Sequence, residues 1–350
     1  MNRRTVLGTL GGVAAALASP WPRRARAAEV SLRLHHFLTA ASNGHKNLLV
    51  PWAKKIEEQS EGRIRIEIYP SMSLGGVPAQ LFDQARKGVA HIVWTLPGNT
   101  PNRFPRIEVF ELPFVPAKLG VTSAKAVQEY ADRHLGEEVG EVHLLSAWAH
   151  DRGVIHCRRL VKTQEDLWGL KLRFPTRMSG KALKALGAGA IGMPTPQVPA
   201  SLAQGVIDGA VIPWEVVPAL KIQDFAPYHT EMPGTPTFYT TTFFLAMNKP
   251  AYEGLPPDLR AIFDANSGMA FATAAGTMWD KAALPAIELA KKADNVIYTL
   301  TEDEAMRWRQ ATQPIVDGWV TRMKERGLDG EALLEEARAL IAKHAQVASL

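Results

Sequence analysis

The chain is poor in cysteine and in long apolar runs, and these two absences exclude several classes of protein. Its 350 residues contain 1 cysteine, Cys157, so no intramolecular disulfide and no cysteine-based zinc cluster can form. No stretch after residue 27 reaches the ~18 consecutive apolar residues of a transmembrane helix, so we expect the chain not to be membrane-embedded. The composition, 46% hydrophobic and 21% charged, is ordinary for globular proteins, and the length favours two domains.

Common sequence signatures of catalysis are also missing. The chain has no CxxC, HExxH, GxSxG or GxxxxGK motif, and we expect neither a cofactor nor a metal ion. A GxGxxG pattern does occur at Gly187–Gly192, but a dinucleotide site needs this pattern between a strand and the helix that follows it. Here it comes after a predicted helix and before Pro194, so we interpret it as a helix end followed by an extended turn. We interpret Cys157 as a packed thiol rather than a nucleophile.

Acidic side chains are missing from the first 27 residues, and this segment is typical of an export signal. Its five arginines account for the whole formal net charge of +5, so the remainder is neutral and a nucleic-acid partner is not expected. An apolar run at Val6–Ala18 and the small residues at Ala25–Ala27 complete the layout of a secretory signal. The pair Arg3-Arg4 favours the twin-arginine route, with a plain Sec signal as the alternative. Either route predicts a periplasmic protein.

What the chain does contain is a regular alternation of strand and helix patterns. Val30–Phe37 and Arg63–Tyr69 alternate apolar and polar side chains as half-buried strands do, and a helical pattern lies between them. The short links make this a βαβ unit with parallel strands. Similar units follow, and the chain after Asp258 is mostly helical, which predicts an α/β protein with two lobes. The neighbours His35 and His36 should point to opposite faces of their strand, one buried and one exposed.

One arginine stands out as a candidate ligand-binding residue. In open α/β sheets, ligands bind beyond the carboxyl ends of the strands, and residues 37–43, 94–99 and 170–176 occupy such positions. In the third segment, Arg173 closes a strand just before a proline, and its planar guanidinium can hold a carboxylate through two parallel hydrogen bonds. From its spacing alone, a solvated or structural arginine is the favoured interpretation.

Two segments in the middle of the chain carry a family resemblance. One is Asp166–Pro175, which reads DLWGLKLRFP, and the other is Ser201–Gly209, which reads SLAQGVIDG. Together with Tyr69-Pro70 and Glu111–Phe114, these segments resemble, in order, the solute-binding subunits of tripartite ATP-independent periplasmic (TRAP) transporters of the dicarboxylate-receptor (DctP) type. The similarity covers nearly the whole chain after the export signal.

This resemblance implies a two-lobed periplasmic binding protein of the type II kind, with a hinge and a helical C-terminal region. After the signal at residues 1–27, residues 28–149 and about 238–280 would form lobe 1. Residues 150–237 and about 281–350 would form lobe 2 and the C-terminal helices. Such a protein closes on a small organic acid and delivers it to a TRAP membrane permease. A receptor for an ATP-driven importer, or an exported enzyme on the same fold, is the alternative.

The resemblance also assigns candidate ligand-binding residues. The arginine of the family's GLKxR stretch is Arg173, and Arg152 lies near a second arginine that many members carry. Where many members have the asparagine of a Gln-Glu-Asn-Pro stretch, this chain has Ile212, followed by Trp214 and Glu215. This departure favours an apolar or aromatic monocarboxylate over a C4-dicarboxylate or sialic acid. The further candidates for the ligand-binding site are Thr39, Asn43, Trp94, His150 and Phe238.

Overall fold

Two β-sheets organise the fold. The computed structural model describes residues 28–348, so the predicted export signal lies outside the described residues. The strands are β1 Val30–His36, β2 Ile64–Tyr69, β3 Ile92–Thr95, β4 Val142–Ala149, β5 Gly153–Cys157, β6 Lys171–Phe174, β7 Gly189–Gly192, β8 Gly209–Pro213, β9 Tyr228–Glu231, β10 Thr242–Asn248 and β11 Val296–Thr299. The helices are α1 Val50–Gln59, α2 Leu81–Arg86, α3 Gly120–His134, α4 Arg177–Ala185, α5 Val198–Ala203, α6 Val217–Leu220, α7 Lys249–Glu253, α8 Pro257–Ala265, α9 Gly268–Lys292, α10 Glu302–Glu325 and α11 Gly330–Ala348.

The first sheet, with the helices on its faces, is called lobe 1 below. Its strand order is β2-β1-β3-β10-β4. Strands β1 and β2 pair in parallel from Val30 opposite Ile64 onward, which confirms the predicted βαβ unit. Strand β10 enters from much later in the chain and runs antiparallel to both β3 and β4. Strand β10 therefore lies between β3 and β4, two strands that come earlier in the chain.

The second sheet defines lobe 2, with the order β11-β9-β5-β8-β6-β7. Strand β6 pairs in parallel with β7 on one side and with β8 on the other, so the carboxyl ends of these strands lie at one edge. The GxGxxG pattern is no dinucleotide loop. Gly187 follows the end of α4 with a positive φ of 94°, which confirms the interpretation of this glycine as a helix end. The residues that follow form the strand β7, so the expected extended turn is wrong.

The two lobes are joined by adjacent chain crossings and by shared helices. One crossing links β4 to β5, the other links β9 to β10, and they bond to each other through His150 N–H to Thr241 O and Gly153 N–H to Tyr239 O. Side chains along α9 and α10 contribute to the hydrophobic cores of both lobes. The last helix, α11, packs against α3 of lobe 1. The domain boundaries stated above stay a prediction, whereas the two-lobed α/β class is confirmed.

The prediction that only one of the two adjacent histidines is buried is wrong, because both faces of β1 are covered. His35 Nε2 accepts the Leu74 N–H at 3.2 Å beneath the loop after β2, and its Nδ1 lies 2.6 Å from Gln84 Oε1. On the other face, His36 is equally buried against the ring of Trp94. Strands of doubly covered sheets hide both sets of side chains.

Two further predictions concern single features of the chain. The thiol of Cys157 is buried and points to the main-chain oxygen of Asp208 at 3.3 Å, which confirms that it is packed. Within residues 28–348, no helix combines the length and the apolar character that a bilayer crossing requires.

A candidate ligand pocket between the lobes

A pocket lies between the two lobes, beside the chain crossings. It holds about 400 Å³ of space free of protein atoms, counted out to its open side. The three segments expected at strand carboxyl ends all reach it, through Leu38, Leu96 and Pro175 among others. The complete lining is Leu38, Trp94, Leu96, His150, Arg173, Pro175, Thr195, Ile212, Pro213, Glu215, Val216, Tyr239, Thr241, Phe243 and Trp279.

Arg173 supplies the positive charge of this pocket. Strand β6 places it, and only 2% of its surface is exposed. Its guanidinium donates from Nε to Met193 O (2.9 Å), from Nη1 to Val211 O (3.2 Å) and from Nη2 to Thr195 Oγ1 (3.0 Å). Burial lowers the pKa of Arg173 to about 10, so the group keeps its charge at neutral pH. Among the described residues, no carboxylate lies within ion-pair distance of it.

These hydrogen bonds fix the orientation of the guanidinium without using all of its donors. A guanidinium has five N–H groups, one on Nε and two on each terminal nitrogen. The three bonds to Met193, Val211 and Thr195 therefore leave one N–H on Nη1 and one on Nη2. These two N–H groups are donors that the oxygens of a carboxylate can accept from.

Lobe 1 contributes an aromatic wall. Trp94 lies on β3 and Phe243 on the adjacent β10, and their rings meet edge to face at 5.6 Å. Trp279 of α9 stacks on Phe243 at 5.5 Å and lies 6.1 Å from Trp94. The indole Nε1 atoms of both tryptophans are buried without a hydrogen-bond partner within the described chain. The wall therefore offers ring faces and two spare N–H donors.

Glu215 brings a buried carboxyl group to the opposite side. It is the second residue after β8, and its Oε1 accepts the main-chain N–H of Gly44 at 3.1 Å. Its Oε2 is buried and has no partner among residues 28–348. Asn43 Nδ2 donates to the main-chain oxygen of Glu215 at 3.1 Å, so this position ties lobe 1 to lobe 2. Burial raises the pKa of Glu215 to about 7.

Three more polar side chains face the pocket from the crossings. His150 Nδ1 lies 2.5 Å from the main-chain oxygen of Asp151, which only accepts, so Nδ1 carries the proton. Burial lowers the pKa of His150 to about 3, and the neutral ring therefore presents Nε2 as an unpaired acceptor. The hydroxyl groups of Tyr239 and Thr241 also have no partner in the described part of the chain.

The structure places the nine predicted site residues in different surroundings. Arg173, Glu215, Trp94 and His150 line the pocket. Asn43 does not line it, but its side chain donates a hydrogen bond to the main-chain oxygen of Glu215. The roles of all nine in binding a ligand stay predictions.

Besides Asn43, four more of the nine do not line the pocket. Arg152 Nε donates to Glu231 Oε1 at 2.9 Å, and the buried Trp214 donates to the same oxygen at 2.6 Å. Phe238 is packed in the core of lobe 2. Thr39 is exposed on the loop after β1.

Sequence reasoning missed several residues that do line the pocket, namely Thr195, Thr241, Phe243 and Trp279. Phe243 could have been identified, because it lies within the strand pattern that precedes Asn248. Trp279 has no local signal, because it reaches the pocket from a helix that belongs to both lobes. No group of three or more His, Cys, Asp or Glu side chains in residues 28–348 is arranged to hold a metal ion.

The fold and the pocket define a two-lobed binding protein with a ligand site between its lobes. Residues 34–322 match the family of bacterial extracellular solute-binding proteins, family 7 (DctP), and the chain belongs to this family. Its members are receptors that bind solutes outside the cytoplasm.

Solved structures agree with this assignment. A TRAP solute-binding protein from Rhodoferax ferrireducens, in complex with copurified benzoate, is 44% identical, with 91% of this chain and 99% of that chain covered and a TM-score of 0.88. A marine metagenome TRAP protein specific for aromatic acids, in complex with 3-hydroxybenzoate, is 41% identical at the same coverage and TM-score. A TRAP protein from Bordetella bronchiseptica with bound mandelate is 26% identical, with 89% and 99% covered and a TM-score of 0.83.

These comparisons confirm the resemblance read from the sequence. The chain is a DctP-type TRAP solute-binding protein and acts outside the cytoplasm, in the periplasm. The predicted function, a receptor for a small organic acid that serves a TRAP permease, is confirmed at the level of the family. The family and its TRAP relatives favour this function over that of a receptor for an ATP-driven importer.

Proposed function

We propose that this protein binds a small aromatic monocarboxylate between its lobes and presents it to a TRAP permease. Arg173 pairs with the carboxylate of the ligand, and Trp94, Phe243 and Trp279 hold its ring. The ligand leaves unchanged, because the proposal involves binding and release and no covalent step. The benzoate, 3-hydroxybenzoate and mandelate complexes of the related proteins support this ligand class.

The observation that carries the proposal is the buried guanidinium of Arg173, which has no carboxylate partner in the part of the chain that the structure describes. Burying an unpaired charge is costly, and a partner carboxylate in water-excluded surroundings offsets the cost through charge-assisted hydrogen bonds. The two N–H groups left free on Nη1 and Nη2 are the donors that such a carboxylate needs. When the lobes close and exclude water, the attraction between the two charges grows because the local dielectric constant falls.

The aromatic wall favours an apolar ring in the part of the ligand beyond its carboxylate. The rings of Trp94, Phe243 and Trp279 lie at mutual distances of 5.5 to 6.1 Å, within the range of favourable aromatic contacts. An aliphatic dicarboxylate would place its second charge against this apolar surface, which is unfavourable. A benzoate-like acid presents one charge to Arg173 and an apolar ring to the wall.

The test is a thermal-shift and calorimetric comparison of four compounds. Benzoate and 3-hydroxybenzoate are the expected ligands, benzamide is the uncharged control, and succinate is the non-aromatic control. A ligand present at 100 times its Kd stabilises the folded protein by about 2.7 kcal/mol, so the expected ligands should raise the Tm clearly. Benzamide and succinate should leave it unchanged. A shift with succinate and none with either benzoate would refute the proposed ligand class.

A further inference from the structure

The pocket contains a second ionisable group, the carboxyl group of Glu215, whose purpose the carboxylate site does not explain. Arg173 lies on β6 and Glu215 follows β8, and these two strands pair in parallel, so their carboxyl ends deliver both side chains to the same pocket. Both side chains are buried, yet they form no ion pair with each other within the described residues. The pocket therefore has an anion-binding position and a separate acidic position.

The carboxyl group of Glu215 is held in place by one oxygen only. Its Oε1 accepts the N–H of Gly44 across the lobe boundary, while Oε2 is buried without a partner in residues 28–348. His150 Nε2 is a second unpaired acceptor in the same lining. A buried acceptor left without a hydrogen bond is destabilising. These two atoms need a donor that the described chain does not supply.

A ligand with a carboxylate and a bare ring would satisfy only half of this pocket. Its carboxylate accepts hydrogen bonds, and the available donors are the free N–H groups of Arg173, the indole N–H groups of Trp94 and Trp279, and the hydroxyls of Tyr239 and Thr241. Its ring offers no donor to Glu215 Oε2 or to His150 Nε2. A hydroxyl group on the ring would offer such a donor, since an O–H donates strongly to a carboxylate oxygen.

We propose that Glu215 is a specificity-determining residue that accepts a hydrogen bond from a hydroxyl group on the ring of the ligand. The preferred ligands are then hydroxylated aromatic acids, with the carboxylate on Arg173 and the hydroxyl on Glu215 Oε2. This inference rests on the proposed function, because it assumes an aromatic acid in the pocket. It adds that the protein discriminates among such acids by the donor on the ring.

The experiment measures dissociation constants by calorimetry for benzoate, for 3- and 4-hydroxybenzoate, and for the methoxy analogue of each. The methoxy analogues keep the ring oxygen and remove the donor. At least one hydroxybenzoate should bind about 10-fold or more tightly than benzoate and than its own methoxy analogue, because a site built to accept a hydroxyl leaves its acceptor unpaired otherwise.

The variant Glu215→Gln identifies the residue responsible. Its amide oxygen can still accept the N–H of Gly44, while an NH₂ donor replaces the free acceptor oxygen. The preference for the hydroxybenzoate over benzoate, taken as the ratio of the two dissociation constants in the same variant, should fall by about 10-fold. The matched control is Glu111→Gln, which alters another fully buried carboxyl group that does not line the pocket. It should leave the preference unchanged.

The possible outcomes separate the two proposals. If benzoate and the hydroxybenzoates bind equally, or if Glu215→Gln weakens all of them in parallel, Glu215 only ties the lobes together and the specificity proposal is wrong. If no aromatic acid binds while another class of acid does, the proposed function fails and this inference fails with it. A selective loss for the hydroxylated ligand supports both proposals.

Discussion

The two walls of the pocket differ in chemistry, and each reflects how its lobe is built. The lobe 1 wall is aromatic, with Trp94, Phe243 and Trp279 packed ring to ring. The lobe 2 wall is charged, with Arg173 and Glu215 at the ends of neighbouring parallel strands. An apolar wall can accept many rings, whereas oriented charged groups are selective for position and sign. The division implies that lobe 1 selects the body of the ligand and lobe 2 its polar groups.

The charged wall should be the more sensitive of the two. Arg173→Ala removes the only described cation in the lining of the pocket, and truncating one partner of a buried charge pair costs about 2–5 kcal/mol. We expect benzoate affinity to fall by at least about 30-fold in calorimetry. Arg173→Lys should also bind poorly, because an ammonium group cannot donate two parallel bonds.

The control for this prediction lies on the same strand. Lys171 of β6 carries the same charge on an exposed side chain, so Lys171→Ala should bind as the unmodified protein does. Thermal melting without ligand checks that Arg173→Ala still folds, since that side chain also bonds to Met193, Val211 and Thr195. Unchanged affinity in a folded Arg173→Ala variant would contradict the assigned difference between the walls.

Glu111 in lobe 1 and Glu215 in lobe 2 are both buried carboxyl groups with a raised pKa, and of these two only Glu215 lines the pocket. Glu111 accepts hydrogen bonds from the N–H (3.1 Å) and Oγ1 (2.8 Å) of Thr242, and burial raises its pKa to about 7. Because this folded-state pKa lies above that of the unfolded chain, folded protein binds more protons between about pH 4.5 and 7. The contribution of Glu111 to stability therefore falls as pH rises through this window.

Glu111→Gln should remove that part of the pH dependence. The gap between the two pKa values corresponds to about 3 kcal/mol in the free energy of unfolding at pH 8 relative to pH 4. Urea unfolding at several pH values should show a shallower decline for the variant than for the unmodified protein. Benzoate should not alter this difference, because Glu111 does not line the pocket. Parallel stability profiles for the two proteins would rule out this titration.

Two aromatic residues of the pocket lining, Trp94 in the lobe 1 wall and Tyr239 at the crossings, each pack against a glycine, and this offers a paired test of their packing. A methyl group at Gly153 would collide with the ring of Tyr239, and one at Gly44 would lie 2.8 Å from Trp94 Cζ3 and closer still to Cη2. Gly153→Ala and Gly44→Ala should therefore each push a ring out of place, at a cost of about 1–3 kcal/mol in stability. Benzoate affinity should fall with both, and more with Gly153→Ala because its contact is shorter.

A third glycine supplies the comparison that these variants need. At Gly234 an added methyl group would have no atom within 4 Å, so Gly234→Ala should change neither the Tm nor the affinity. Equal behaviour of all three variants would show that the close contacts of Gly153 and Gly44 do not position the rings.

The smallest effect is expected from a mild change in the aromatic wall. Phe243→Leu keeps most of the side-chain volume and removes one ring from the cluster with Trp94 and Trp279. Aromatic pairs contribute about 0.5–1.5 kcal/mol beyond their buried area, so benzoate affinity should fall by roughly 2- to 12-fold. Cyclohexanecarboxylate is the matching ligand without an aromatic ring, and its affinity should fall less. An equal loss for both ligands would indicate that the wall acts through shape alone.

Much of the fold was accessible to sequence reasoning, because its signals are local. Alternation in Val30–Phe37 and Arg63–Tyr69 predicted two parallel strands, and the structure pairs them in register. Arg173 was found because a single arginine closes a strand before a proline, in a stretch typical of the family. Glu215 was found by its departure from the family pattern. The meeting of Phe243 and Trp279 in the pocket was not predicted, since they lie on elements that join only in the folded chain.

The sequence by itself determined the alternation of strands and helices, the parallel unit at the start of lobe 1 and the arginine at the end of β6. Those features depend on side-chain periodicity over a few residues, which a linear pattern displays. The tertiary structure alone decided that His35 and His36 are both buried, that Arg152 pairs with Glu231, and that Arg173 has no counter-ion within residues 28–348. The reason is that burial and pairing depend on which distant segments cover a side chain, and periodicity along the chain carries no record of that.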